Sequence, residues 1–392
     1  MTFDAQYFDR PTRRRDTGSY KWDSVAADVT PLWVADMDFP TAPCIVEALR
    51  RRVDTGIFGY TKVRRQFYDA AIDWFTRRHG WTFSADQVIY TSGVVPAISA
   101  ILKAVTRPGD RVIVQTPAFN CFFSSIRNNG CLLAANPLII TPDGYDMDLA
   151  DLEGLAADPR TTAMILCNPH NPGGAVWPPE RLAQVDAICR RHNVFVISDE
   201  IHCELTFSGV EYTPYGRLGL DALGNCAVCF SPSKAFNIAG LQIADIVVTD
   251  PEMRRRIDRA INDNEVCDVN PFGVDAQIAA YTEGREWLDG LRAYLEGNYR
   301  LVCDELRPLA PAVQMRPMQA TYLAWLDCRG LRMNSEQLDR LLVEQAHVHL
   351  SPGDDFGPGG DGFMRLNFAT QRAPLHRALT AIRTALEPLA AK

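Results

Sequence analysis

Lys234 stands in Ser231-Pro-Ser233-Lys234, with AVCF before it and AFNIAGL after it. A lysine among small hydroxyls and flanked by apolar residues is placed for partial desolvation. Desolvation lowers an amine's pKa and leaves a neutral nucleophile for carbonyls. The same pattern suits a lysine salt-bridged at a sheet edge. Asp199, in Ser198-Asp199-Glu200-Ile201-His202, can hold a cationic ring nitrogen in its protonated state, or cap the next helix. Asn171, in Asn168-Pro-His-Asn171-Pro-Gly-Gly174, can donate to a phenolic oxygen, or make a turn. His202, three residues after Asp199, is either a neighbour of the same ring or a structural histidine. Gly93 joins a strand to a helix, where backbone N–H groups can hold a phosphate. Ser231 and Ser233 add hydroxyl donors for the same anion.

What these residues share is that each follows a short apolar run. Candidate strands cover 88–90, 111–115, 162–167, 194–198, 227–230 and the region near 243–248. Helix-period segments lie at 63–79 and 179–192. Strands alternating with helices predict a mostly parallel α/β sheet with helices on both faces, and ligands in such sheets bind outside the carboxyl ends of the strands. The pattern changes near 284. A long helix is expected over 285–307, strands near 322–326, 348–350 and 364–367, and helices over 334–346 and 374–388. The expected division is a large domain, 46–284, and a smaller α+β domain from 1–45 and 285–392. The first 40 residues lack periodicity and should lie as an arm across the rest. Residues 352–362, PGDDFGPGGDG, suggest a mobile loop able to close over substrate.

Composition narrows the function classes. The 392 residues carry 40 basic and 48 acidic side chains, a net charge of −8, which argues against a nucleic-acid binder. With 47% hydrophobic and 22% charged residues, a large core is available and global disorder is excluded. No apolar run reaches bilayer length, so no membrane partner is expected, and the lack of a secretory leader points to the cytoplasm. Eleven cysteines, an odd number, suggest reduced thiols, and Cys226-Ala-Val-Cys229 reads as a buried strand. Arg13–Arg15 and Arg254–Arg256 read as solvated faces. His347 and His349 share a strand face without a third ligand, so no metal site is expected.

The ordered set Asn168–Gly174, Ser198–His202 and Ser231-Pro-Ser-Lys-Ala-Phe-Asn-Ile-Ala-Gly-Leu-Gln242 resembles fold-type I enzymes of the class I/II aminotransferase superfamily, over nearly the whole chain. Leu32-Trp-Val-Ala-Asp-Met-Asp-Phe-Pro40, Gly59-Tyr60-Thr61 and Thr91-Ser-Gly-Val-Val-Pro-Ala97 resemble its MalY/PatB branch, whose members are cystathionine β-lyases and related cysteine-S-conjugate β-lyases. The resemblance implies pyridoxal 5'-phosphate as cofactor, covalently held by Lys234. It implies Asp199 at the pyridine nitrogen, Asn171 at the ring hydroxyl and His202 beside it. Gly93, Val94 and Val95 amides, with Ser231 and Ser233, match the phosphate cradle. Phe119 falls where an aromatic side chain stacks on the ring. Related enzymes commonly carry tyrosine there, so stacking is kept and the phenol is absent. Gln242 stands where many aminotransferases place a phosphate-binding arginine. Tyr60 matches a tyrosine that reaches the neighbouring subunit's phosphate, implying a homodimer with shared active sites. Arg365 matches the arginine that grips the substrate α-carboxylate, a task suited to a bidentate guanidinium.

The implied activity is carbon–sulfur β-elimination from an amino-acid thioether, giving a thiol, pyruvate and ammonia. Two alternatives share these residues: transamination on the same scaffold, and a cofactor-bound regulatory protein acting through protein–protein contact.

Overall fold

The computed structural model describes residues 2–219, 224–263 and 268–391. Its centre is a seven-stranded sheet: β1 (Val88–Thr91), β2 (Arg111–Thr116), β3 (Leu132–Pro137), β4 (Thr161–Cys167), β5 (Phe195–Asp199), β6 (Cys226–Phe230) and β7 (Ala244–Val247). The spatial order is β1-β7-β6-β5-β4-β2-β3. Strands β2 to β6 run parallel, while β7 is antiparallel to both β1 and β6. The direction of β7 follows from its connection. A parallel return needs a crossover, usually a helix. Residues 231–243 hold only a 3-10 turn at Ala239–Leu241, so the chain doubles back beside β6.

Alternation along each strand divides the interior into two cores. On β6, Cys226, Val228 and Phe230 face one core, and Ala227 and Cys229 the other. The two thiols of the C-x-x-C spacing therefore lie on opposite faces of the sheet and cannot share a metal. Helix α1 (Pro43–Asp54) and helix α2 (Arg65–His79) cover the first face. Phe67, Ala70, Ala71, Trp74 and Phe75 form the buried stripe of α2. Helix α2 stops at Gly80, whose φ of +61° provides the left-handed cap. Helix α3 (Val94–Val105) and helix α4 (Asn120–Asn128) cover the second face. Strand β3 was absent from the sequence reading. It is an edge strand with alternating burial, and its Leu-Leu-Ala-Ala run lacks the β-branched residues that mark its neighbour β2.

Helix α5 (Pro179–Arg191) packs on the first core and helix α6 (Pro271–Glu283) against α1. Helix α7 (Arg285–Leu306) leads to a second sheet of β8 (Gln314–Met315), β9 (Leu323–Asp327), β10 (Ser351–Pro352) and β11 (Phe363–Asn367), in the order β8-β9-β11-β10. Helix α8 (Arg372–Ala390) packs against α7. The N-terminal segment does cross the molecule: Thr30 and Pro31 pair in parallel with Val348 and His349.

Three expectations need correction. In the Arg13–Arg15 triplet only Arg13 is solvated; Arg14 and Arg15 are not. Arg14 pairs with Asp36 at 2.7 Å and Asp38 at 3.0 Å, and Arg15 donates to backbone carbonyls of Val25, Ala26 and Val29. Residues 352–362 form a packed turn rather than an open loop. A Cβ on Gly353 would meet Gly360 O at 2.0 Å, and Ala118 N bonds Phe356 O at 2.9 Å. His347 and His349 do not converge, since each pairs with its own carboxylate, Asp28 and Asp339. No helix among the described residues is long and apolar enough to cross a membrane.

Candidate active site

The carboxyl ends of β1, β4, β5 and β6 bring the chemistry-bearing residues to one edge. Register fixes their depth: Cys167 and Cys229 both lie level with Asp199, on either side of it. Asn171 follows β4, Asp199 ends β5, and Ser231 to Lys234 follow β6. Because β7 is antiparallel, its first residues lie between the ends of β1 and β6, with Ala244 opposite Thr91 and Asp245 opposite Phe230. The N-terminus of α3, at Gly93 to Val95, is thereby two strands, about 10 Å, from the Ser231–Ser233 turn.

Each group is tuned by where the fold holds it. Lys234 Nζ donates to Ala35 O at 2.8 Å. Burial, and then the charge of Arg365, lower its pKa from 10.5 to about 8, against the opposing pull of Asp36 and Asp199. Asp199 is buried, and its Oδ1 accepts from Ile201 N at 3.1 Å. Burial raises its pKa from 3.8 to about 7, with only partial relief from that bond and from Lys234. His202 is buried with Nδ1 unpartnered. Burial, followed by the fields of Lys234 and Arg365, pushes its pKa down to about 3, so it is neutral. It packs edge-on to Tyr322, with ring centroids 6.3 Å apart.

Arg365 reaches the same edge from β11. Nη1 donates to Asn171 Oδ1 at 3.2 Å, and Nη2 to Trp33 O at 3.0 Å and Ser351 Oγ at 3.3 Å. Nε is buried without a partner, and the guanidinium lies 4.7 Å over the Phe356 ring. Its charge is buried among neutral acceptors, and burial lowers its pKa to about 10. A buried cation so placed is costly until an anion joins it.

The hydroxyl pair is more ordered than the sequence suggested. Ser231 Oγ donates to Ile243 O at 2.6 Å and accepts from Ser233 N at 3.0 Å. The two hydroxyl oxygens are 2.5 Å apart. Ser231 thus secures the turn, and Ser233 is the hydroxyl that can re-aim toward a ligand. Phe119 precedes α4 and packs edge-on to Phe122 at 5.8 Å. Two residues on, Cys121 feels the charges of both Lys234 and Asp199. Gln242 takes the left-handed conformation, with φ +53°, after the turn that follows Lys234. Tyr60 is not brought to this site within one chain; it is 94% exposed.

Sequence reasoning missed the backbone that lines the site. Ala35 O receives both Lys234 Nζ and Tyr322 Oη, and Trp33 O receives Arg365. Asn237 bonds Met37 on both sides, and Asn367 donates to Val34 O and Asp36 O. The available signal was the segment 32–40 itself, polar and aromatic with no helical or strand period.

The donor set fits a planar, phosphate-bearing aldehyde with a basic ring nitrogen. A protonated ring nitrogen would answer the carboxyl of Asp199, an aldehyde would take the neutral amine of Lys234, and the α3 N-terminus with Ser233 would meet a dianion.

Comparison with known proteins agrees with this geometry. The family model for aminotransferase class I and II matches residues 27–382. The chain is 40% identical to cystathionine β-lyase PatB of Bacillus subtilis, over 97% of this chain and 99% of that protein. It is 34% identical to the protein MalY of Escherichia coli, over 97% and 98%. Among solved structures, cystalysin from Treponema denticola, which contains pyridoxal 5'-phosphate, superposes with a TM-score of 0.94 at 31% identity, covering 97% of this chain and 99% of that one.

Proposed function

We propose a division of labour among these residues for a chain that belongs to the aminotransferase class I and II family and is a pyridoxal 5'-phosphate-dependent carbon–sulfur β-lyase. The reaction takes up water, splits the Cβ–S bond of cystathionine or a related cysteine S-conjugate, and yields a thiol, pyruvate and ammonia. When bound, pyridoxal 5'-phosphate supplies a carbonyl that condenses with amines and a pyridinium ring that accepts electron density from Cα.

Lys234 would hold that carbonyl, Asp199 the ring nitrogen and Asn171 the phenolic oxygen, with neutral His202 alongside. The Gly93, Val94 and Val95 amides and the Ser233 hydroxyl, fixed by Ser231, would hold the phosphate. Phe119 would cover the ring face. Arg365 binds the substrate carboxylate and so fixes the direction of the Cα–H bond. Orientation of this kind supplies up to about 7–11 kcal/mol in well-aligned systems. Lys234 Nζ, whose pKa is lowered to about 8 so that a large neutral fraction is present near that pH, takes the Cα proton. Asp199 would hold the proton on the ring nitrogen.

Arg365 carries this reading. Its buried charge has only neutral acceptors and lies within electrostatic reach of the Lys234 amine. We further propose a homodimer. Tyr60 is exposed beside Ile57, 76% exposed, and Phe58, an apolar group that a second copy would cover while placing Tyr60 at its phosphate.

The test is the purified protein with cystathionine and no keto acid. Pyruvate release, with a visible chromophore that changes on substrate addition, supports the lyase. Turnover that requires a keto acid and yields no pyruvate would mark a transaminase instead.

A further inference from the structure

A cavity of about 1080 Å³ opens beside the segment that carries Asp199 and His202, lined from the next residue onward by Cys203, Glu204 and Thr206. Its other walls are the C-terminal ends of α2 and α6, the first turns of α7, Ser208 to Tyr212 and Arg217. Lys234, Asp199 and Arg365 take no part in it. Its volume lies just above the usual range for small-molecule sites, about 300–1,000 Å³.

Its charges do not balance. At the floor, buried Glu204 accepts from Trp74 Nε1 at 2.7 Å, Arg78 Nε at 2.9 Å and His79 Nε2 at 2.6 Å, so its charge is answered. At the mouth, one carboxylate, Asp289, serves three guanidiniums: Arg78 at 3.2 Å, Arg285 at 3.7 Å and Arg292 at 3.7 Å. The last two distances are beyond hydrogen-bond range. Arg77 and Arg217 each have their own acid, Asp73 and Glu211, and add no net charge. Arg292 Nε and Nη2 donate to Thr206 O at 3.0 Å and Thr206 Oγ1 at 2.9 Å, both neutral, and Glu296, whose charge also reaches Arg292, is held by Arg300 at 2.6 Å. Three cations thus face the two carboxylates Glu204 and Asp289 before His79 is considered. Burial, with the field of Arg78, lowers the pKa of Arg292, the mark of a guanidinium held near another. Arg285 to Asp289 also form the first turn of a 22-residue helix, whose dipole adds positive potential at the opening.

We propose that this cavity is a second binding site, for a small molecule carrying two or more oxyanion charges on phosphate or carboxylate groups. The exposed Arg285 guanidinium and the Nη1 of Arg292, whose Nε and Nη2 are held by Thr206, would receive it, with Arg78 and His79 as the inner wall.

The cofactor-loaded protein would be titrated calorimetrically with pyrophosphate and, separately, with citrate, at fixed ionic strength. Saturable binding at one per chain is expected for at least one probe, and which probe binds assigns phosphate or carboxylate. Arg285→Gln and Arg292→Gln should each weaken it by about tenfold or more, as expected on losing a charge-assisted contact. Arg340→Gln, far along the sequence and paired with Glu336, should leave it unchanged. Arg285 is 74% exposed, so its replacement should leave folding and basal turnover intact. Absence of saturable binding by both probes at millimolar concentration, or equal binding in the parent and both cavity variants, would overturn the proposal.

Discussion

Arg365 Nη1 donates to Asn171 Oδ1 at 3.2 Å, joining the small sheet to the loop after β4 across 194 residues of sequence. The bond sets the Asn171 amide with its oxygen toward the arginine, which leaves its N–H₂ as the group available to a ring hydroxyl. Two residues with different proposed tasks therefore hold one another in place. Substituting Arg365→Ala and Asn171→Ala, singly and together, should give non-additive losses in kcat/KM for cystathionine, with a coupling of about 0.5–3 kcal/mol. Additive losses would show that the two act independently.

The Lys234 amine should report its surroundings in a titration. Its pKa is lowered from 10.5 to about 8, so the neutral fraction rises with pH and is half complete near 8. Cofactor uptake by the cofactor-free protein needs the neutral amine. Its rate should climb through that pH and level off above it. Arg365→Gln removes one of the charges that lowers the pKa, so the midpoint should move upward. Lys234→Ala should cut turnover by about 10²–10⁴-fold or more and leave the far-ultraviolet circular dichroism unchanged. A midpoint unaffected by Arg365→Gln would contradict the electrostatic link.

Asp199 gives a stability prediction with a definite sign. Burial raises its pKa from 3.8 to about 7, so the folded chain holds that proton more tightly than the unfolded one. The contribution to stability is complete below 3.8 and is lost as pH rises through about 7. At pH 8 the cofactor-free chain therefore buries an ill-compensated carboxylate. Asp199→Asn should stabilise that form by about 1–3 kcal/mol in urea unfolding at pH 8, and by less at pH 5. With cofactor bound, the substitution should instead weaken retention of the cofactor. An equal effect at both pH values would remove the assigned cause.

The N-terminal arm should be indispensable to the site. Lys21 is 0% exposed and lies 3.2 Å from Asp38, itself 1% exposed. Asp38 also accepts from Arg14 Nε at 3.0 Å and Trp22 Nε1 at 2.7 Å. Asp38→Ala leaves the buried ammonium with only the longer approaches to Asp36, Oδ1 at 3.6 Å and O at 3.4 Å, and should cost about 3–5 kcal/mol of stability. Because the same segment presents Ala35 O to Lys234, activity should fall below what the folded fraction explains. Thermal unfolding and turnover measured on one preparation would check both.

The sequence by itself determined six of the seven strands of the large sheet, the order of the motifs and the identity of the candidate reactive groups. Apolar runs ending in Asn171, Asp199 and Lys234 can form only buried strands with polar ends, so the active edge of the sheet followed from local patterning. Single positions also showed which side chains could act: an amine among apolar residues, a carboxylate at a strand end, a guanidinium in β11. The tertiary structure decided what no periodicity encodes. The reversal of β7 depends on the lack of a crossover helix. The lining of the site by Trp33, Ala35 and Asp36 depends on backbone carbonyls, which carry no residue-type signal. The basic cavity between α2 and α7 assembles arginines more than 200 positions apart, Arg78 and Arg292 among them. Each of these arises from which distant surfaces bury one another, and burial also sets the pKa of Lys234, Asp199 and Arg365. Local pattern fixed the groups; packing fixed their charge states and their company.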